Sequence, residues 1–185
     1  MAKNIEIEAK GLLDKDEYEL IFHKLNLNPY VQINYYIKND HFDFKQYGLR
    51  IRFKNNKYEL TLKDKIADGY IEINQMINEQ EFLDMKNKNL FPLGEVNSYL
   101  QNKNISTDDL YIFANAKTER IDICYHTSLI SIDKTTVFDH VDYEIECENT
   151  NIKKAKDDII SFLDQFSIKY KENKTSKLKR VLSLI

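Results

Sequence analysis

Glu6, Glu8 and Lys10 alternate with Ile5, Ile7 and Ala9 in the stretch NIEIEAKG. Alternation at period two places the three charges on one face of a β-strand and the apolar residues on the other. Paired carboxylates are the oxygen ligands that Mg²⁺ or Mn²⁺ takes, and an ammonium beside them suits a phosphate. The pattern recurs. DYEIECE sets Asp142, Glu144, Glu146 and Glu148 against Tyr143, Ile145 and Cys147, and ISID sets Ser131 and Asp133 against Ile130 and Ile132. The segment LRIRFKNNKYELTLKDK carries the opposite sign. With Asn55-Asn56 as a two-residue hairpin turn, Arg50, Arg52, Lys54, Lys57, Glu59, Thr61 and Lys63 share one face.

For any one strand, a charged face in water is the simplest reading. Two features count against it for the set. The signs segregate by strand, whereas a solvated surface intersperses them. Arginine, at Arg50 and Arg52, also suits forked recognition of phosphate oxygens. A sheet curled with its charged face inward would enclose carboxylates on one wall and cations on another. That is costly unless a polyanion and divalent cations fill it. Glu6 and Glu8 are then expected to hold metal and Lys10 to meet phosphate.

The elements that must position these residues are legible. A first strand is expected over about 4–12. Asp14 and Glu17 form a capping box for a helix through about Leu25. Strands are expected in PYVQINYYIKN, on both sides of Asn55-Asn56, and in DGYIEINQMI after a turn at Asp68-Gly69. Helical patterns follow at Glu79 to Lys88 and Gly94 to Asn102. Strands return in YIFANAKTERIDICY, SLISIDKTTVF and HVDYEIECE, and a helix is expected over about 151–165. The alternation breaks near Arg120, because Lys117 and Glu119 share a face with Ile121 and Ile123.

Composition narrows the class. In 185 residues, 42% apolar and 31% charged, one domain spanning 1–185 is expected, with a core that needs no staples. The 27 basic and 30 acidic side chains nearly balance, against the basic excess of a nucleic-acid binder. No stretch is long and apolar enough for a membrane span, and MAKNIEIE lacks a signal-peptide core. A cytoplasmic setting is expected. Cys124 and Cys147 form no disulfide or metal pattern and read as small buried thiols. The four histidines read as surface or core residues, not ligands.

The charged strands together resemble the CYTH family, the triphosphate tunnel metalloenzymes, and most of all its small bacterial YjbK-type members. Glu6-Ile7-Glu8-Ala9-Lys10 looks like the family's ExExK signature. LRIR resembles its basic strand pair, LTLK the next lysine strand, and TER the central arginine. SIDK and YEIECE resemble the late acidic strands, and TSKLKR the C-terminal Ser-Lys motif. The resemblance covers nearly the whole chain. It implies an α+β fold: a closed antiparallel eight-stranded β-barrel, charged inside, with helices packed outside. It implies Glu6, Glu8, Asp133, Glu144 and Glu146 as metal ligands for Mg²⁺ or Mn²⁺. Phosphate contacts would be Lys10, Arg50, Arg52, Lys63, Arg120 and Lys177, with Glu6, Glu8, Lys10 and Arg52 as the catalytic set. Glu72 matches a further acidic position.

The expected function is metal-dependent hydrolysis of a small-molecule triphosphate, inorganic tripolyphosphate or a related organic one. The alternatives are a class IV-type adenylate cyclase, which uses the same charges, and a non-catalytic sensor of polyphosphate or nucleotide. A monomer or homodimer is expected, with neither nucleic acid nor membrane as partner. The C-terminal segment is expected to fold back so that Lys177 reaches a terminal phosphate.

Overall fold

Local signals in the sequence account for most element boundaries. The computed structural model describes residues 4–67 and 69–185, with side chains from Ile7 onward. The Glu6 side chain and Asp68, and with Asp68 the expected turn, lie outside the described residues. The strands are β1 (Asn4–Glu6), β2 (Glu8–Leu13), β3 (Tyr30–Lys38), β4 (Tyr47–Lys54), β5 (Lys57–Ile66), β6 (Gly69–Ile77), β7 (Tyr111–Tyr125), β8 (Ser128–Val137) and β9 (His140–Glu148). The helices are α1 (Lys15–Leu25), α2 (Glu79–Lys88), α3 (Glu95–Asn102), α4 (Ile152–Asp164) and α5 (Lys177–Leu182). The fold is α+β, and every described strand pairing is antiparallel. Among the described residues, no helix is long and apolar enough to cross a membrane.

Helix starts follow their caps. The Asp14 carboxylate accepts from Glu17 N at 2.9 Å, and Glu17 accepts from Asp14 N at 2.8 Å, the expected capping box of α1. Asn78 and Glu81 repeat the device at α2.

The chain divides into two compact units. The first holds Met1–Ile5 and Gln32–Ala116, with strands in the order β1-β6-β5-β4-β3. Asn55 and Asn56 have φ of 52° and 57°, the left-handed pair that a type I′ hairpin turn requires. The register is the expected one: Lys54 faces Lys57, Arg52 faces Glu59 and Arg50 faces Thr61. Leu49, Ile51, Leu60 and Leu62 therefore share the other face. They are buried with Phe82 and Met85 of α2 and Val96 and Leu100 of α3.

The second unit holds Glu6–Val31 and Lys117–Ile185, in the order β7-β8-β9-β2. Its core joins Ile121, Ile130, Ile132 and Ile145 of the sheet to Ile21 of α1 and Ile159 and Phe162 of α4. The broken alternation near Arg120 has a simple form. Lys117 is exposed and Glu119 half-buried, and Glu119 pairs with Lys117 and Lys134. Cys147 is buried as expected, but Cys124 is exposed, a correction to the reading of both thiols as buried. Cys124 shares the polar face with Arg120 and Asp122 and sits one residue from the end of β7, away from the core.

The C-terminal segment lies along β2. Leu12 N donates to Lys171 O at 2.8 Å, Asn173 N donates to Lys10 O at 2.9 Å, and Gly11 and Glu172 form a bridge. Tyr170 Oη donates to Lys10 O at 2.8 Å. A Cβ on Gly11 would meet Ile145 Cγ2 at 2.9 Å and the Tyr170 ring at 3.0 Å, so glycine permits this close approach.

Candidate functional site

In the second unit, pairing sets charges side by side across four strands. Arg120 of β7 faces Asp133 of β8, which faces Glu144 of β9, and Glu146 of β9 faces Lys10 of β2. Asp133 and Glu144 are wholly buried. Their charges must therefore be met by partners, and they are. Arg120 Nε and Nη2 donate to the two Asp133 oxygens at 2.6 Å each, and Nη2 also reaches Glu146 Oε2 at 2.5 Å. Lys10 Nζ lies 2.8 Å from Glu8 Oε1 and 3.5 Å from Glu146 Oε1.

The C-terminal segment supplies two more cations. Lys177 Nζ donates to Asp133 Oδ2 and lies 3.4 Å from Glu144 Oε1 and 3.8 Å from Glu146 Oε1. Arg180 reaches Asp142 Oδ2 at 2.9 Å through Nε and Glu144 Oε2 at 2.7 Å through Nη1. Asn173 Nδ2 donates to the same Glu144 oxygen at 2.6 Å. Lys177, expected on phosphate, thus lies among carboxylates.

Oxygens of Asp133, Glu144 and Glu146 all lie within 4.8 Å of one another. Burial and the neighbouring Glu146 push the Glu144 carboxyl up to about 7, against the pull of Lys177. Burial alone would raise Glu146 too, but Lys177, Arg120 and Lys10 outweigh it and hold Glu146 well below the carboxylate range. Burial likewise opposes charge on Lys10, yet Glu146, Glu8 and Glu144 hold its pKa above the ordinary lysine value. The unit is an ion-pair lattice, able to bind cations through its acids and anions through its bases.

The first unit presents a different face. Arg50, Arg52, Lys63 and Glu72 lie on one side of β4, β5 and β6, as the alternation requires. Arg52 Nε donates to Asn34 Oδ1 of β3 at 3.0 Å. Lys63 Nζ lies 3.6 Å from Glu72 Oε2, and Asn74 Nδ2 donates to Glu72 Oε1 at 3.0 Å. Arg50 Nε is buried without a hydrogen-bond partner among the described residues, and so are both amide atoms of Gln32.

The structure therefore gathers Glu8, Lys10, Arg120, Asp133, Glu144, Glu146 and Lys177 in one unit, and Arg50, Arg52 and Lys63 on one face of the other. Sequence reasoning missed Asn173 and Arg180 as partners of Glu144, and Asn34 and Gln32 on β3. Arg180 had a signal. It lies three residues after Lys177, on the same helical face.

The CYTH domain model matches residues 4–181. The chain is 34% identical over 184 residues to the Bacillus subtilis (strain 168) protein named "Putative triphosphatase YjbK", covering 97% of this chain and 95% of that one. It superposes on the crystal structure of a "putative adenylate cyclase" from Bacillus halodurans with a TM-score of 0.88 at 31% identity, covering 97% and 98% of the two chains. The fold also matches HpAC1 from Hippeastrum, with a TM-score of 0.81 at 23% identity over 97% of this chain and 96% of that one. Matched by that model over nearly its whole length and 34% identical to the Bacillus subtilis protein, this chain belongs to the CYTH domain family.

Proposed function

We propose that this chain is a divalent-metal-dependent triphosphatase acting on tripolyphosphate or a related organic triphosphate. The observation that carries the reading is the buried trio of Asp133, Glu144 and Glu146 with converging oxygens. The donors fit Mg²⁺ or Mn²⁺, since they are all carboxylate oxygens. Glu144 Oε1 also lacks a hydrogen-bond partner among the described residues. Glu6 and Glu8 complete the proposed metal set. When bound, the metal supplies charge neutralisation and an activated attacking water.

The chain's own groups do the remaining work. Lys10, Arg50, Arg52, Lys63, Arg120 and Lys177 hold the phosphate oxygens, so that positioning and charge stabilisation carry the chemistry. Lys10 and Arg52, with Glu6 and Glu8, form the proposed catalytic set. We place all of them in one domain, 1–185, lining a closed barrel. The proposal also includes a cytoplasmic monomer or homodimer that binds neither nucleic acid nor membrane.

A cyclase reading is favoured by the name of the Bacillus halodurans protein. One assay separates the two: phosphate and cyclic AMP are measured from tripolyphosphate, nucleoside triphosphates and thiamine triphosphate, with Mg²⁺, Mn²⁺ or chelator. Phosphate release that chelator abolishes is the expected outcome. Cyclic AMP as the main product from ATP would replace the reading with the cyclase, and ligand binding without turnover would replace it with a sensor.

A further inference from the structure

Glu144 is held unequally by its two oxygens. Oε2 accepts from Asn173 Nδ2 at 2.6 Å and from Arg180 Nη1 at 2.7 Å. Oε1 accepts no hydrogen bond from the described residues, and the Lys177 ammonium beside it is the one that also meets Asp133 Oδ2 and lies 3.8 Å from Glu146 Oε1. That ammonium lies 3.4 Å from Oε1. A carboxylate on a strand retains rotation about its terminal torsion, which is broad and two-fold. Two donors on one oxygen remove that freedom and fix where the other oxygen points.

Both donors are themselves held. The Asn173 side-chain oxygen accepts from Thr175 N at 3.0 Å, and its backbone N–H is tied to Lys10 O. Arg180 forks between Asp142 and Glu144, and its Nη1 also reaches Thr175 O at 2.8 Å. Behind them Val181 is buried. Outer partners that orient a ligating carboxylate commonly contribute about 10- to 100-fold in metal affinity.

We propose that Asn173 and Arg180 are positioning residues that aim Glu144 Oε1 into the carboxylate seat, so the C-terminal segment sets divalent-cation affinity. This rests on the metal-site reading of Asp133, Glu144 and Glu146. The segment is then a working part of the cation site, and neither residue needs to touch metal or substrate.

The test is Mn²⁺ binding by calorimetry, without substrate, on the full chain. Asn173→Ala and Arg180→Lys both leave the charge of the protein unchanged, so a change in affinity reports aim and not net charge. Each is expected to weaken Mn²⁺ binding about tenfold or more. Metal-free binding of tripolyphosphate and the melting temperature should stay close to wild type, which a merely structural role would not leave in place. Lys179→Ala, an exposed position on the same helix, serves as control and should bind Mn²⁺ normally. If Asp133→Asn loses Mn²⁺ while Asn173→Ala and Arg180→Lys retain wild-type affinity, the positioning role falls and the metal reading stands. If the wild-type protein takes up no Mn²⁺, both fall together.

Discussion

The two units solve opposite electrostatic problems with the same strand architecture. In the second, Glu8, Asp133, Asp142, Glu144 and Glu146 meet Lys10, Arg120, Lys177 and Arg180 at contact distance around the buried Asp133, Glu144, Glu146 and Arg120. In the first, Arg52 Nε donates to Asn34, Lys63 lies 3.6 Å from Glu72, and Arg50 Nε donates no hydrogen bond among the described residues. Buried charge demands near-complete pairing, so removing one member of the acidic lattice strands the others. Arg50, Arg52 and Lys63 are part-exposed, so solvent screens their charges. Substitutions in the acidic lattice should therefore cost stability as well as ligand binding, and substitutions on the basic face ligand binding alone.

The largest expected effect follows at Asp133, which holds both Arg120 and Lys177. Asp133→Asn is expected to lower turnover by more than the roughly 100-fold typical of outer-shell partners and to cost about 3 to 5 kcal/mol in urea unfolding. A stability loss no larger than that of a first-unit arginine variant would break the contrast.

Arg52→Met should show the converse. Losing one charge-assisted phosphate contact, about 1.5 to 3 kcal/mol, should raise KM for triphosphate about 10- to 100-fold. Unfolding free energy should change by less than about 1 kcal/mol. Unchanged kinetics would remove Arg52 from the phosphate set.

Gln32 sharpens the same contrast from the stability side. It is 1% exposed, and both its amide atoms lack partners among the described residues. A shape-matched apolar replacement relieves an unmet desolvation penalty of about 1 to 3 kcal/mol. Gln32→Met is accordingly expected to stabilise the protein without ligand, and destabilisation in urea would show that the amide is satisfied.

The smallest effects concern pH. In the second unit Ser128 Oγ donates to Asp158 Oδ2 at 2.5 Å and His126 lies 3.2 Å from Oδ1. The Ser128 hydrogen bond, with His126 and against burial, holds Asp158 below the usual carboxylate value. A lowered pKa stabilises above the unfolded value and is lost as pH falls through the folded one, so this knot weakens in acid. In the first unit burial, then the 2.7 Å hydrogen bond to Asp64, pushes Tyr99 up to about 12. A raised pKa stabilises fully below the unfolded value near 10 and is lost as pH climbs towards about 12. Ser128→Ala should flatten the acid limb of the stability profile and Tyr99→Phe the alkaline limb, each by about 1 kcal/mol. Loss of both on the same limb would contradict the assignment.

What was legible in the sequence was local. Asn55-Asn56 set the hairpin register because few residue pairs accept two left-handed conformations. Asp14 with Glu17 marked α1 because the cap is satisfied within three residues. The strand charges of the site were readable because alternation is a property of consecutive residues. What escaped depended on chain contacts that no short window contains. Asn173 is 29 residues from Glu144, in a segment without periodicity. The exposure of Cys124 and the burial of Gln32 depend on what covers each face, which pattern alone does not state. Lys177 was singled out by motif, yet its carboxylate company follows only from how the segment lies along β2.

That backbone contact carries a further consequence. Residues 171–173 take up the Leu12 N–H and the Lys10 carbonyl, groups that β2 would otherwise present as an open row. A bare strand edge is a template for a strand from another molecule. Peeling the segment away would thus expose an adhesive edge, and a chain cut after Gln165, which also strips Lys177 and Arg180 from Asp133 and Glu144, should lose stability and precipitate or form oligomers. The last twenty residues act in this respect as a guard against self-association, built from two hydrogen bonds and a glycine that lets them come close.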